Sequence, residues 1–119
     1  MKRILVAGIL MAAAVSSVHA QSNLRFLQDT PISKFKKVDT DLMFKTLYQA
    51  LDTADDGKTV TWENPKASNS GSITPAKDPQ GRADCRLAKV ENRHLTLHSS
   101  HDVVFCKVAG KWKWDKPNK

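Results

Sequence analysis

The sequence predicts an α+β fold: one amphipathic helix packed on a small antiparallel β-sheet meander, with one disulfide, after an N-terminal signal peptide. Three observations carry this expectation. The hydrophobic period changes from 3.6 residues to two near Lys58. The only two cysteines, Cys85 and Cys106, both fall in the strand-rich half. The first twenty residues read as an export signal and not as domain sequence. A chain of 119 residues has room for one domain.

The N-terminal segment has three parts. Met1-Lys2-Arg3 gives a positive start, Ile4 to Val15 is almost unbroken apolar sequence, and Ser16-Ser17-Val18-His19-Ala20 places small residues where a signal peptidase reads. The apolar run is shorter than the ~20 residues that cross a bilayer, so a cleaved signal over residues 1–20 is expected in place of an anchor. No cysteine follows the run, so a lipid-modified N terminus is not expected. The whole chain carries a formal charge of +7; without Lys2 and Arg3, 17 basic residues face 12 acidic ones, or +5. Such a bias favours anionic neighbours, among them lipopolysaccharide, phospholipid headgroups, acidic glycans and nucleic acid. The basic residues are interspersed with acids, so no specific nucleic-acid partner is predicted.

Residues 21–37 form an extended lead-in, in which Leu24, Phe26, Leu27, Ile32 and Phe35 follow no clear period and Pro31 interrupts. The domain proper is expected over residues 38–116. Its helix runs from Val38 to Asp55, with Phe44, Leu47, Tyr48 and Leu51 at i, i+3, i+4 and i+7 as the core-facing stripe. Asp39 or Thr40 is placed to cap its start, and Asp55-Asp56-Gly57 to end it. The strand Thr59 to Glu63 alternates, with Val60 and Trp62 on one face, and stops at Asn64-Pro65. Lys66 to Ser72 reads as a loop or wide hairpin, and Ser72-Ile73-Thr74 as a short returning strand closed by Pro75. Further strands are expected over Asp84–Glu91, His94–Ser99 and Asp102–Val108. A tight turn at Ala109-Gly110 then leads into Lys111-Trp112-Lys113-Trp114, with both indoles on one face.

An exported protein meets an oxidising compartment, where an even pair of cysteines is expected to bridge. Closing the 21 positions from Cys85 to Cys106 is worth about 3 kcal/mol in the chain-entropy picture. Two thiolates are too few for a Cys-only metal site, and the spacing is not that of a redox Cys-x-x-Cys pair.

The candidates for chemistry are few. His94, His98 and His101 fall within eight residues, and a strand would put His94 and His98 on one face. Zinc or copper is the metal they would suit. Strand positions i and i+4 lie about 13 Å apart, however, so solvent-facing histidines are the simpler expectation. No Gly-x-Ser-x-Gly elbow, free thiol with a base, or calcium-loop pattern is present, so neither an enzyme nor a cofactor is expected. Lys111-Trp112-Lys113-Trp114 suits either stacking against bases or sugars, or a strand that buries tryptophans and wets lysines, the simpler case.

Five spaced elements belong together: Trp62-Glu63-Asn64-Pro65, Gly71 to Pro75, Cys85-Arg86, Cys106-Lys107 and Gly110-Lys111-Trp112. In this order they resemble the C-terminal domain of the rickettsial 17-kilodalton surface antigen family, the outer-membrane surface antigen domain. The resemblance covers about Leu42 to Trp114. This chain departs from the family in lacking a lipid-accepting cysteine and a glycine-rich membrane segment, and in having Leu87-Ala88 where an acid and an aromatic follow Cys-Arg. The resemblance implies a bacterial, non-catalytic, periplasmic or envelope-associated protein, with outer-membrane association and secretion as the alternative locations, whose partner is an envelope component or a protein. It marks Trp62, Asn64, Pro65, Gly71, Pro75, Arg86, Lys107, Gly110 and Trp112 as residues of structural importance. The alternatives from the residues themselves are a soluble periplasmic inhibitor or ligand-binding protein, and a metal-binding periplasmic protein.

Overall fold

The computed structural model describes residues 30–116. The signal peptide expected over 1–20, the lead-in before Thr30 and the tail after Lys116 lie outside the described residues. Helix α1 (Lys37–Thr53) packs on one face of a five-stranded antiparallel sheet: β1 (Val60–Asn64), β2 (Asn69–Lys77), β3 (Cys85–His94), β4 (Leu97–Val108) and β5 (Lys111–Trp114). The strands lie side by side in chain order, a plain meander.

Pro31 opens a single 3-10 turn, Pro31–Lys34, ahead of the helix, where its missing N–H and fixed φ cost nothing. Lys36 is the N-cap, not Asp39 or Thr40. Asp39 sits one turn in and reaches back, its carboxylate accepting the Lys36 N–H at 2.9 Å. The buried face of α1 is Met43, Thr46, Leu47, Ala50 and Leu51. This stripe is rotated from the expected one: Phe44 and Tyr48 lie on the flank, 45% and 40% exposed, and stack with ring centroids 6.0 Å apart. Fully buried Ala50 faces Ile73 and Ala88, which brings helix and sheet close and leaves no room for large rings between them.

The sheet is longer in its strands and tighter in its turns than the sequence suggested. The expected loop Lys66–Ser72 contracts to one 3-10 turn, Pro65–Ala67, followed by Ser68 in the left-handed region. β2 then runs nine residues straight through Pro75. The proline is tolerated because β1 pairs with β2 only as far as Ile73. Past that point the Pro75 carbonyl turns to the Gly57 N–H at 2.8 Å, so its absent N–H lies on the side where no strand needs it. The expected strand His94–Ser99 is divided instead: β3 ends at His94, β4 begins at Leu97, and Leu95 turns the chain at φ +53°. Nothing in Leu95-Thr96 advertises a turn, since it contains no Gly, Asn, Asp or Pro. Ala109 (φ +52°) and Gly110 (φ +78°) form the expected tight hairpin with positive φ at both central residues.

The core joins Leu47, Ala50 and Leu51 of the helix to Ile73, Ala88 and Phe105 of the sheet, with Val60, Val90, Val103 and Trp112 packed around them. Alternation sends Thr61, Glu63, Ser70, Ser72, Lys89, Glu91 and Arg93 to the other, polar face. Cys85 and Cys106 stand directly opposite each other on β3 and β4 and form the disulfide, Cα to Cα 4.0 Å, on that second face.

Candidate functional site

The residues singled out in the sequence come together in four clusters, each of which ties the helix or its lead-in to the sheet. At the helix start, Asp39 is fully buried, with the Lys36 charge close enough to act on its carboxylate. Its carboxylate accepts Asn64 Nδ2–H at 2.8 Å and Asn69 Nδ2–H at 2.9 Å besides the Lys36 N–H. Burial works to raise the Asp39 carboxyl, but these three donors outweigh it and hold the group below the ordinary carboxylate value. Asn69 passes the arrangement on: its Oδ1 is 2.6 Å from His94 Nδ1, and since its amide nitrogen serves Asp39, the imidazole donates through Nδ1–H.

At the helix end, Arg86 supplies what the chain lacks locally. Its guanidinium donates to the carbonyls of Leu51 (2.7 Å), Ala54 (2.9 Å) and Ala50 (3.3 Å), and pairs with Asp56 at 2.7 Å. Helix α1 has no basic residue in its last turn. Arg86 therefore satisfies the Leu51 and Ala54 carbonyls, adds to the Ala54 N–H on that of Ala50, and meets the negative end of the helix dipole. The Cys-Arg pair thus joins two strands through its first member and the helix through its second.

The third cluster explains Trp62 and Gly71. Trp62 is buried and meets Phe35 edge-to-face, centroids 5.2 Å apart. Gly71 lies opposite Trp62 on β2, and opposite Asn92 on β3. A Cβ there would overlap Trp62 Nε1 and stand 2.7 Å from the Glu91 carbonyl and 2.8 Å from Asn92 Oδ1. Trp62 Nε1–H and Asn92 Oδ1, a donor and an acceptor, are both buried beneath this glycine without partners among the described residues.

In the fourth, Trp112 Nε1–H donates to Asp52 Oδ1 at 2.7 Å and Lys107 reaches the same oxygen at 3.2 Å, its ammonium 5.4 Å from the Trp112 ring centroid. The Trp112 bond, seconded by Lys107, lowers the Asp52 carboxyl. Trp112 is thereby spent on the helix and is no free stacking platform. Away from these clusters, buried Asp78 accepts both the backbone N–H and the guanidinium of Arg82 (Nε at 2.8 Å), and Arg82 also pairs with Asp115 at 2.9 Å. Arg82 pulls the Asp78 carboxyl down to about 2.

The histidines do not gather. His98 faces Arg93 across the hairpin, and alternation puts it on the polar face, away from His94 on the helix side. The expectation that His94 and His98 share a face fails because the turn at Leu95-Thr96 places them on different strands. His101 shares the face of His94 but stands four positions further along, about 13 Å. Among the described residues no three His, Cys, Asp or Glu side chains come together as a metal site would require.

The feature that faces outward is one the sequence did not mark. Helix α1 lies over β1 and β2 and scarcely over the far side of the sheet. An apolar groove of about 350 Å³ remains between its flank and β4–β5, lined by Ile32, Phe44 and Leu47 on one side and Val103, Phe105 and Trp114 on the other. Trp114 is 56% exposed there, which corrects the expectation that both indoles of β5 pack inward. Individually these are ordinary apolar residues, and only the rotation of the helix stripe brings them to one opening. Compared with protein-family models, curated proteins and solved structures, the chain finds no match in any of the three.

Proposed function

We propose that this protein is an exported, non-catalytic module of the bacterial envelope, similar to the surface-antigen domain it resembles, and that it binds an envelope component or a protein partner through the groove between α1 and β4–β5. One observation carries the reading. The motif residues Asn64, Arg86, Lys107 and Trp112 bond the helix to the sheet, and Trp62, given room by Gly71, packs on Phe35, whereas Ile32, Phe44, Tyr48 and Trp114 present apolar surface outward. Contiguous apolar surface at a concave place is the usual mark of a partner or ligand site. The N-terminal export pattern and the basic balance are consistent with life beside anionic envelope polymers. Among the described residues no helix is long and apolar enough to cross a membrane.

The test is to fractionate cells into periplasm, inner membrane and outer membrane and follow the processed chain. Recovery with the outer membrane through a high-salt wash, and release by mild detergent, is the expected result, because an apolar attachment is not screened by salt. Recovery as a soluble periplasmic protein contradicts envelope attachment and directs the search to a diffusible ligand, the inhibitor or ligand-binding alternative.

A further inference from the structure

The sheet has one edge that the fold leaves unguarded. β5 pairs with β4 only from Phe105 to Val108, and the Asp115 N–H takes the Val104 carbonyl. Among the described residues nothing pairs with the same side of β4 from Leu97 to Val103. Two bonds fix which groups point there. The Lys107 N–H turns toward the β3 side, to the Asp84 carbonyl, whereas the Val104 carbonyl turns the other way. Alternation therefore sends the backbone N–H and C=O groups of His98, Ser100 and Asp102 outward. The other edges are short and protected: β1 spans five residues and runs into Pro65, and β5 spans four and carries Lys111 and Lys113. Leu97 to Val103 contains no lysine, arginine or proline, and His98, Ser100, His101 and Asp102 are exposed. Lys89, which stands opposite Asp102 on β3, pairs with Glu91 at 3.6 Å and leaves the Asp102 carboxylate without a partner among the described residues.

The open stretch has Ser100 at its midpoint, and its side chains are self-complementary about that point. We propose that two copies of the protein pair antiparallel along this edge, about a two-fold axis at Ser100, and join their five-stranded sheets into one. In this register Ser100 faces Ser100, His98 of one copy faces Asp102 of the other, and Leu97 faces Val103. All three outward residues are engaged at once, and about six main-chain bonds close the junction. Moving the axis to Ser99 or His101 leaves one of the three without a partner in the open stretch. On the polar face an imidazole stands opposite a carboxylate twice, on either side of a pair of hydroxyls, so no like charges meet. On the helix side the Leu97–Val103 pairs border the two apolar grooves, which the axis brings to the same face of the joined sheet. The contact is isologous, so it closes at a dimer and leaves no copy of this edge free to propagate a fibre. The proposal uses the sheet edge alone, and stands apart from where in the cell the protein resides and from what fills the groove.

Sedimentation equilibrium of the purified, processed protein up to about 0.5 mM tests it, since a junction of this size is at the weak end of specific interfaces. The expected result is a monomer–dimer equilibrium. Ser100→Pro removes an outward N–H that serves no bond within the copy. It should leave the melting temperature within a few degrees and weaken the dimer by roughly tenfold or more. His98→Asp sets carboxylates opposite each other across the junction, while Arg93 stands beside it within the copy. It should weaken the dimer by roughly fivefold or more, and His98→Asp/Asp102→His should restore most of the loss. A chain that stays monomeric throughout overturns the proposal, as does a dimer untouched by Ser100→Pro. If Ser100→Pro unfolds the protein, the charge pair decides: a double variant that associates no better than His98→Asp rules out this register and the proposal with it.

Discussion

Arg86 is the clearest case of one residue serving the whole fold. Its guanidinium engages three carbonyls at the C-terminal end of α1 from a strand more than thirty residues away. Arg86→Ala should cost about 2–3 kcal/mol, since it leaves half-buried carbonyls unpaired and the helix dipole unopposed. Arg86→Lys should recover less than half of that, because a point charge cannot bridge the fork. Thermal melts of the two variants check both figures. At Gly71, a methyl group would meet the Trp62 indole and two oxygens, so Gly71→Ala should destabilise by about 2 kcal/mol and alter the near-ultraviolet circular dichroism of Trp62. Asp39, Asp52 and Asp78 are all held below the ordinary carboxylate value in the folded state. Groups depressed in this way stabilise the fold above their unfolded pKa, and that stability is lost as pH falls through the folded one. The denaturation midpoint should accordingly hold steady down to about pH 4.5 and drop between there and pH 2, and Asp39→Asn should flatten the drop. The acidic residue of the first helical turn is visible in the sequence. Its role as a hub is not, because Asn64 and Asn69 arrive from 25 and 30 residues downstream.

At the scale of elements, the period of the sequence reads well and its punctuation reads badly. The helix, the alternation of β1, the Ala109-Gly110 hairpin and the pairing of Cys85 with Cys106 are all legible, because each depends on local pattern or on a count of two. The length of β2 is not legible, since Pro75 stops a strand only where a neighbour needs its N–H, and β1 ends two residues earlier. The turn at Leu95-Thr96 is hidden for the converse reason: the register of two long strands imposes it on residues with no turn preference. Phe44 and Tyr48 were expected inside because helical spacing cannot tell an aromatic flank from a packed face, and the small side chain of Ala50 decided the matter. The disulfide holds β3 to β4 at the end where β5 also joins. Reduction should lower stability by about 3 kcal/mol and the melting temperature by roughly 15 °C, since it frees the loop of 21 positions in the unfolded chain. Melts with and without reductant decide this, and an unchanged Tm would mean that the strand pairing alone suffices.

For the molecule as a whole, inward and outward duties are separated. Asn64 and Arg86 hold the two ends of α1 to the sheet, Lys107 and Trp112 hold it through Asp52, and the other face of the sheet carries polar side chains. The groove beside β4–β5 is the recognition surface we propose, and nothing in the sequence announces it because its walls come from the turn after Pro31, the flank of α1 and two strands far along the chain. The +5 balance of the expected processed chain acts at longer range and makes approach to anionic surfaces salt-dependent, without choosing a partner.

The claim that recognition lies in the groove is tested most directly by the envelope association of Phe44→Glu/Trp114→Ser, measured by fractionation alongside the melting temperature of the same protein. Both side chains are about half exposed, so the account predicts a Tm within a few degrees of the unaltered protein and loss of the salt-resistant association. Undiminished association of the folded double variant would contradict it and move the recognition surface elsewhere on the molecule.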